Sequence, residues 1–147
     1  MKLKPLAPAL CALTFSFSAF IVTASGQMGE TGHFDGKWLR RVPDEDRART
    51  NPVAHQQQAE NAGKTLFAEN CAKCHGADAN GRTHLPPRPS LRSPRIRQAK
   101  DGELAWMLSN GDPYKGMPPW SSLPELQRWQ IIAYLRTLPP ANPAAKP

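Results

Sequence analysis

Cys71-Ala72-Lys73-Cys74-His75 is the stretch of this chain with the densest reactive chemistry. Two thiols three residues apart, followed at once by an imidazole, form the C-x-x-C-H pattern of c-type haem attachment. The spacing has a mechanical reason. Thiols at i and i+3 on a tight turn can each reach one vinyl group of the same porphyrin edge. His75 then lies under the ring, where a neutral imidazole nitrogen can bind iron. Two other chemistries use the same residue types. Zinc could take Cys71, Cys74 and His75, but tetrahedral zinc wants a fourth ligand, usually from a second pair, and the only other cysteine is Cys11. A dithiol redox pair would head a helix inside a βαβ pattern, and no strand pattern of that kind is present. The leading expectation is one haem c attached through Cys71 and Cys74, with a zinc or dithiol module as the alternative.

An iron held by His75 alone would be open to small molecules, so the sixth ligand decides function. Met117 is the candidate. Its thioether is a soft, neutral ligand, and Met/His ligation raises the potential of the iron. Gly116 lets the backbone approach closely, and Pro118-Pro119 stiffens the loop. Met107 falls on a helical stripe and reads as core, and Met28 sits in an aperiodic arm. His84 follows His75 too closely to cross the ring, and His33 and His55 read as exposed side chains. With both axial positions filled, one-electron exchange is the chemistry left. If Met117 left the iron, the site would suit a haem peroxidase or gas sensor.

The elements that position these residues are helical. Ala59, Ala62, Gly63, Leu66 and Phe67 recur at three- and four-residue steps, predicting a helix over 57–70 that runs into Cys71. Gly63 costs helix stability relative to Ala, which suits a position where another helix crosses closely. Residues 76–100 read as loop, punctuated by Gly76, Gly81, Pro86, Pro87, Pro89 and Pro94. So long a stretch usually wraps around something, with Leu85 and Leu91 as expected ring contacts. A short helix is predicted over 101–110, capped by Asp101 and stopped at Gly111. A last helix spans about 123–138, with Pro124 in its first turn and Pro139 beyond its end. Trp106 and Trp120 are candidate pocket walls.

The sequence before residue 58 reads differently. Residues 1–26 form a signal peptide: Lys2 and Lys4, an apolar run, then small residues that allow cleavage after Ala24 or Gly26. The run is interrupted by Pro8, Thr14, Ser16 and Ser18 and is marginal as a membrane span. The mature part is expected in the periplasm. Residues 27–57 read as an extended, solvated arm, with Trp38, Leu39 and Val42 as its sizeable apolar groups. The domain proper is placed at 58–139, and 140–147 as a disordered Ala/Pro-rich tail. Sixteen prolines and few β-branched residues argue against a sheet.

Charge bears on partners. Nineteen Lys and Arg face twelve Asp and Glu; losing Lys2 and Lys4 with the leader leaves seventeen basic side chains and a net +5. Lys73, Lys115 and the 88–100 stretch would give the haem edge a positive rim that steers association with an acidic redox partner. The alternative is a basic loop that only aids solubility. No nucleic-acid-binding module is recognisable.

Taken together, Gly63-x-x-x-Phe67-x-x-x-Cys71-x-x-Cys74-His75-Gly76, Gly116-Met117-Pro118-Pro119-Trp120 and Ile131-Ile132-Ala133-Tyr134-Leu135-Arg136 resemble the class I (monohaem) cytochromes c of bacteria. The resemblance covers about 59–138. It implies an all-α fold with three to four helices wrapped around one haem, and electron transfer to a dehydrogenase, an oxidase or another cytochrome rather than catalysis. It also implies that the terminal helices cross near Gly63 and Phe67 against Ala133 and Tyr134. A Pro-x-Leu segment, fitted by Pro89-Ser90-Leu91, would lie beside His75, its proline carbonyl accepting the Nδ1–H.

Overall fold

The computed structural model describes Met1, residues 36–81 and residues 88–141. The leader, Met28, His33, His84, Leu85 and most of the C-terminal tail lie outside those residues. The chain divides into Met1–Glu30 and Thr31–Pro147, and every element belongs to the second unit.

A 3-10 turn, Lys37–Arg41, leads into α1 (Asp44–Arg47). Then come α2 (Gln57–Asn70), α3 (Ala72–His75), α4 (Pro94–Gln98) and α5 (Asp101–Asn110). A second 3-10 turn, Pro113–Lys115, precedes α6 (Glu125–Thr137). The fold is all-α. Among the described residues the sheet-like pairing is an isolated bridge between Asp112 and Met117. Three helices of ten residues or more, α2, α5 and α6, carry the architecture, and single-turn helices bring the total among the described residues to six.

The crossing of α2 on α6 follows from one buried stripe. Ala59, Gly63 and Phe67, four residues apart, are the buried positions of α2. A Cβ built on Gly63 would lie 1.9 Å from the Gln130 carbonyl oxygen, so the two backbones touch where α2 has no side chain. One turn on, the Phe67 and Tyr134 rings pack with centroids 5.4 Å apart and planes tilted by 52°. Ile131 and Ile132 of α6 are sealed beneath, at 1% and 0% exposure.

Several boundaries differ from expectation. Asp101 opens α5 but does not cap it. The Glu103 carboxylate reaches back to the Lys100 backbone N–H (2.7 Å), while Asp101 accepts from the Arg136 guanidinium at 2.8 Å. Pro124 stands just ahead of α6. Pro94 starts a turn of helix, α4, inside the stretch read as loop. The largest difference concerns the arm: from residue 36 on it is turned rather than extended, and although Asp44, Glu45, Thr50 and His55 stay exposed, part of it is docked. Trp38 and Val42 are buried with Leu104, Leu108 and Trp129 in the main core. Trp38 lies within the 3-10 turn and Val42 caps it. The pair stands in a stretch too short to establish a helical period, so their apolar character is the sequence signal that the arm docks.

Candidate functional site

Cys71 closes α2, and the chain turns at once into α3, which carries Cys74 and His75. The turn is tied by hydrogen bonds from the Cys74 and His75 amides to the Cys71 carbonyl (3.1 and 2.9 Å). One cavity receives all three side chains, together with Pro89, Leu91, Met117 and Trp120. The cavity opens to solvent at its mouth, and its walls are mostly apolar. Trp106 is not in the lining; it is partly buried against the main core.

His75 is oriented from behind. Its Nδ1 lies 3.1 Å from the carbonyl oxygen of Pro89. A carbonyl can only accept, so Nδ1 carries the proton and Nε2 is the nitrogen left for a metal. Burial holds the imidazole below its ordinary pKa; the Pro89 carbonyl opposes this, and the nearby Arg88 charge adds to it. The neutral ring is the ligating form. Burial also pushes the Cys71 thiol up to about 11, with Cys74 adding to the shift.

Met117 sits on a loop closed upon itself. Asp112 and Met117 exchange backbone hydrogen bonds of 2.9 and 3.0 Å across the isolated bridge. The Gly116 amide donates to the Pro113 carbonyl (3.0 Å), and Gly116 takes φ +74°, a left-handed conformation that side chains rarely adopt. Arg88 reaches across from the residue before Pro89 and donates to the Lys115 carbonyl at 2.9 Å. The segment that orients His75 is therefore tied directly to the loop that carries Met117.

Two thiols, a neutral imidazole and a thioether on apolar walls suit a porphyrin iron, whose customary protein ligands include His with Met. These residues fit a haem. Residues 58–135 match the family described as cytochrome c oxidase, cbb3-type, subunit III. The chain belongs to the cytochrome c family. It is 34% identical over 85 residues to cytochrome c-554(547) of Halothiobacillus neapolitanus, an alignment covering 52% of this chain and 93% of that protein. It is 43% identical over 65 residues to FixP, a cbb3-type cytochrome c oxidase subunit of Rhizobium meliloti (strain 1021). That match covers 44% of this chain but 21% of FixP. Cytochrome cL of Methylophaga aminisulfidivorans shares the fold, with TM-score 0.54 and 23% identity over 79% of this chain and 72% of that one. The cytochrome c family carries haem c and serves electron transport, which fits the residues gathered here.

Trp38, Arg88 and Asp112 also line the cavity. Arg88 belongs to the basic 88–100 stretch expected at the haem edge, and Trp38 to the apolar groups of the arm, but neither reads as a pocket wall in the sequence. Asp112 carries no local signal, because distant contacts bring it in.

Proposed function

We propose that the mature chain is a periplasmic one-electron carrier. It would hold a single haem c through thioether links from Cys71 and Cys74, with His75 and Met117 as axial ligands. The observation that carries this reading is the convergence of those four residues on one apolar cavity, with His75 oriented by Pro89 and Met117 held in a closed loop. Bound haem supplies reversible one-electron exchange at its iron. The chain's own residues do the rest. Pro89 sets the imidazole tautomer, the Asp112–Met117 bridge and Arg88 hold the thioether loop, and Leu91, Leu108 and Ile131 keep water from the cavity.

The likeness to FixP supports a partner on a route to a terminal oxidase, and a dehydrogenase or another cytochrome fits as donor. Exposed Lys73, with Arg88 and Lys115 at the cavity, favours an acidic partner surface. Export rests on the leader sequence; among the described residues no helix is long and apolar enough to cross a membrane.

An oxidised-minus-reduced optical spectrum tests the reading, on protein made with haem-attachment machinery present. The expected result is a low-spin spectrum with a sulfur-to-iron charge-transfer band toward the red, absent in Met117→Ala. A colourless product would return the site to zinc or dithiol chemistry. Rapid carbon monoxide uptake by the reduced wild-type protein would favour a peroxidase or gas sensor.

A further inference from the structure

The family match begins at residue 58, yet the cavity wall includes a residue twenty positions earlier. Trp38 is 8% exposed and lines the cavity. It also belongs to the core cluster against which Met117 and Trp120 pack.

Three polar anchors hold this segment in place. The Arg41 guanidinium meets the Asp112 carboxylate at 3.3 Å, and Asp112 is the residue whose backbone brackets Met117. Arg47 pairs with buried Glu103 at the head of α5 and donates to the carbonyls of Leu39 (2.7 Å) and Val42 (3.3 Å). The buried Asn51 side chain donates to the Trp129 carbonyl of α6 (3.0 Å) and accepts from the Val53 amide (3.0 Å). Between these anchors the backbone of α1 lies directly on α5. A Cβ on Gly102 would come within 2.0 Å of the Asp46 carbonyl oxygen. A segment so held is part of the domain, and its two cavity-side contacts are a Trp wall and an Arg–Asp tie to the Met117 loop.

We propose that residues 36–53 form a built-in strap over the haem pocket. In it Trp38 and Arg41 are positioning residues that keep the Met117 loop closed over the sixth coordination position. This rests on the reading of Met117 as the iron's ligand. The strap acts through the loop: Trp38 fills the space into which the loop would swing, and Arg41 fixes the carboxylate of the residue paired with Met117.

The test uses the full chain loaded with haem, in wild type, Met117→Ala, Trp38→Ala, Arg41→Gln, Arg41→Lys and Arg40→Gln. Each is compared by haem content, the charge-transfer band, the midpoint potential, and the rate of carbon monoxide uptake by the reduced protein. Trp38→Ala is expected to take up carbon monoxide at least about tenfold faster, with a weakened band and a lowered potential, as expected for deleting a buried aromatic wall. Arg41→Gln removes a half-exposed ion pair, so an increase of about two- to fivefold is expected. Arg41→Lys should restore most of it, and Arg40→Gln, an exposed neighbour on the same turn, should match wild type. Should Trp38→Ala yield no haem-loaded protein, the Arg41 pair carries the test alone. Wild-type behaviour of both Arg41→Gln and Trp38→Ala, alongside a band that Met117→Ala abolishes, overturns the strap and leaves the ligation standing. A wild-type protein lacking the Met117-dependent band instead overturns the ligation on which the strap depends.

Discussion

Gly63→Ala is the substitution for which the structure gives the sharpest magnitude. On helix propensity alone, Ala at an interior position gains about 1 kcal/mol over Gly. The new methyl, however, would stand 1.9 Å from the Gln130 carbonyl oxygen, and contacts below 3.0 Å force something to shift. The obstacle is backbone at the centre of α6, so α2 and α6 must part by more than 1 Å at their crossing. Overpacking of this kind costs about 1–3 kcal/mol. Separation also loosens the Phe67–Tyr134 ring contact, worth about 0.5–1.5 kcal/mol. Setting the propensity gain against these losses leaves a net destabilisation of about 1–3 kcal/mol. For a domain of this size that lowers the melting temperature by about 5–15 °C. Thermal unfolding of the haem-loaded protein, followed by far-ultraviolet circular dichroism, measures it. A melting temperature equal to or above wild type would refute the close crossing as the reason for glycine at this position.

Met107→Leu and Met117→Leu should separate the two methionines. The first is a near volume-conserving change in the core costing less than about 1.5 kcal/mol and keeping the charge-transfer band, while the second loses the band. Optical spectra of both decide it, and loss of the band in the Met107 variant would reverse the assignment. Arg47→Ala should cost about 2–4 kcal/mol, because it leaves the buried Glu103 carboxylate without its cation. Denaturant midpoints of the single variant and of Arg47→Ala with Glu103→Gln check this; the double variant should recover part of the loss. Electron-transfer association with an acidic partner should slow as salt rises from about 0.01 to 0.15 M, and a rate indifferent to salt would show that the basic rim steers nothing.

The haem motif and the helix delivering it were legible because both are local. The C-x-x-C-H residues need one turn of chain, and the α2 stripe repeats every four residues. The crossing at Gly63 was legible as well, since a glycine in a good helix asks for a reason. What escaped depends on partners far along the chain. Asp101 looks like a cap until Arg136 is placed beside it, thirty-five residues away. The charges of Asp44, Glu45, Asp46 and Arg47 read as a solvated run, yet Arg47 finds the buried Glu103 and Asp46 places its carbonyl against Gly102. Trp38 sits on a five-residue turn and Val42 caps it, a stretch too short for a period to stand out. The docking of this segment is hard to read in full because its apolar residues are few and its polar ones find long-range partners.

Cys71 ends α2 at a position 8% exposed, on the wall of the same cavity as His75 and Met117. If haem is fastened there as proposed, the order of maturation follows from that burial. Once α2 has closed on α6 the sulfur is hard to reach, and burial also raises its pKa, which slows its chemistry further. Attachment would then come first, on a chain still open, with folding completed around what has been fastened.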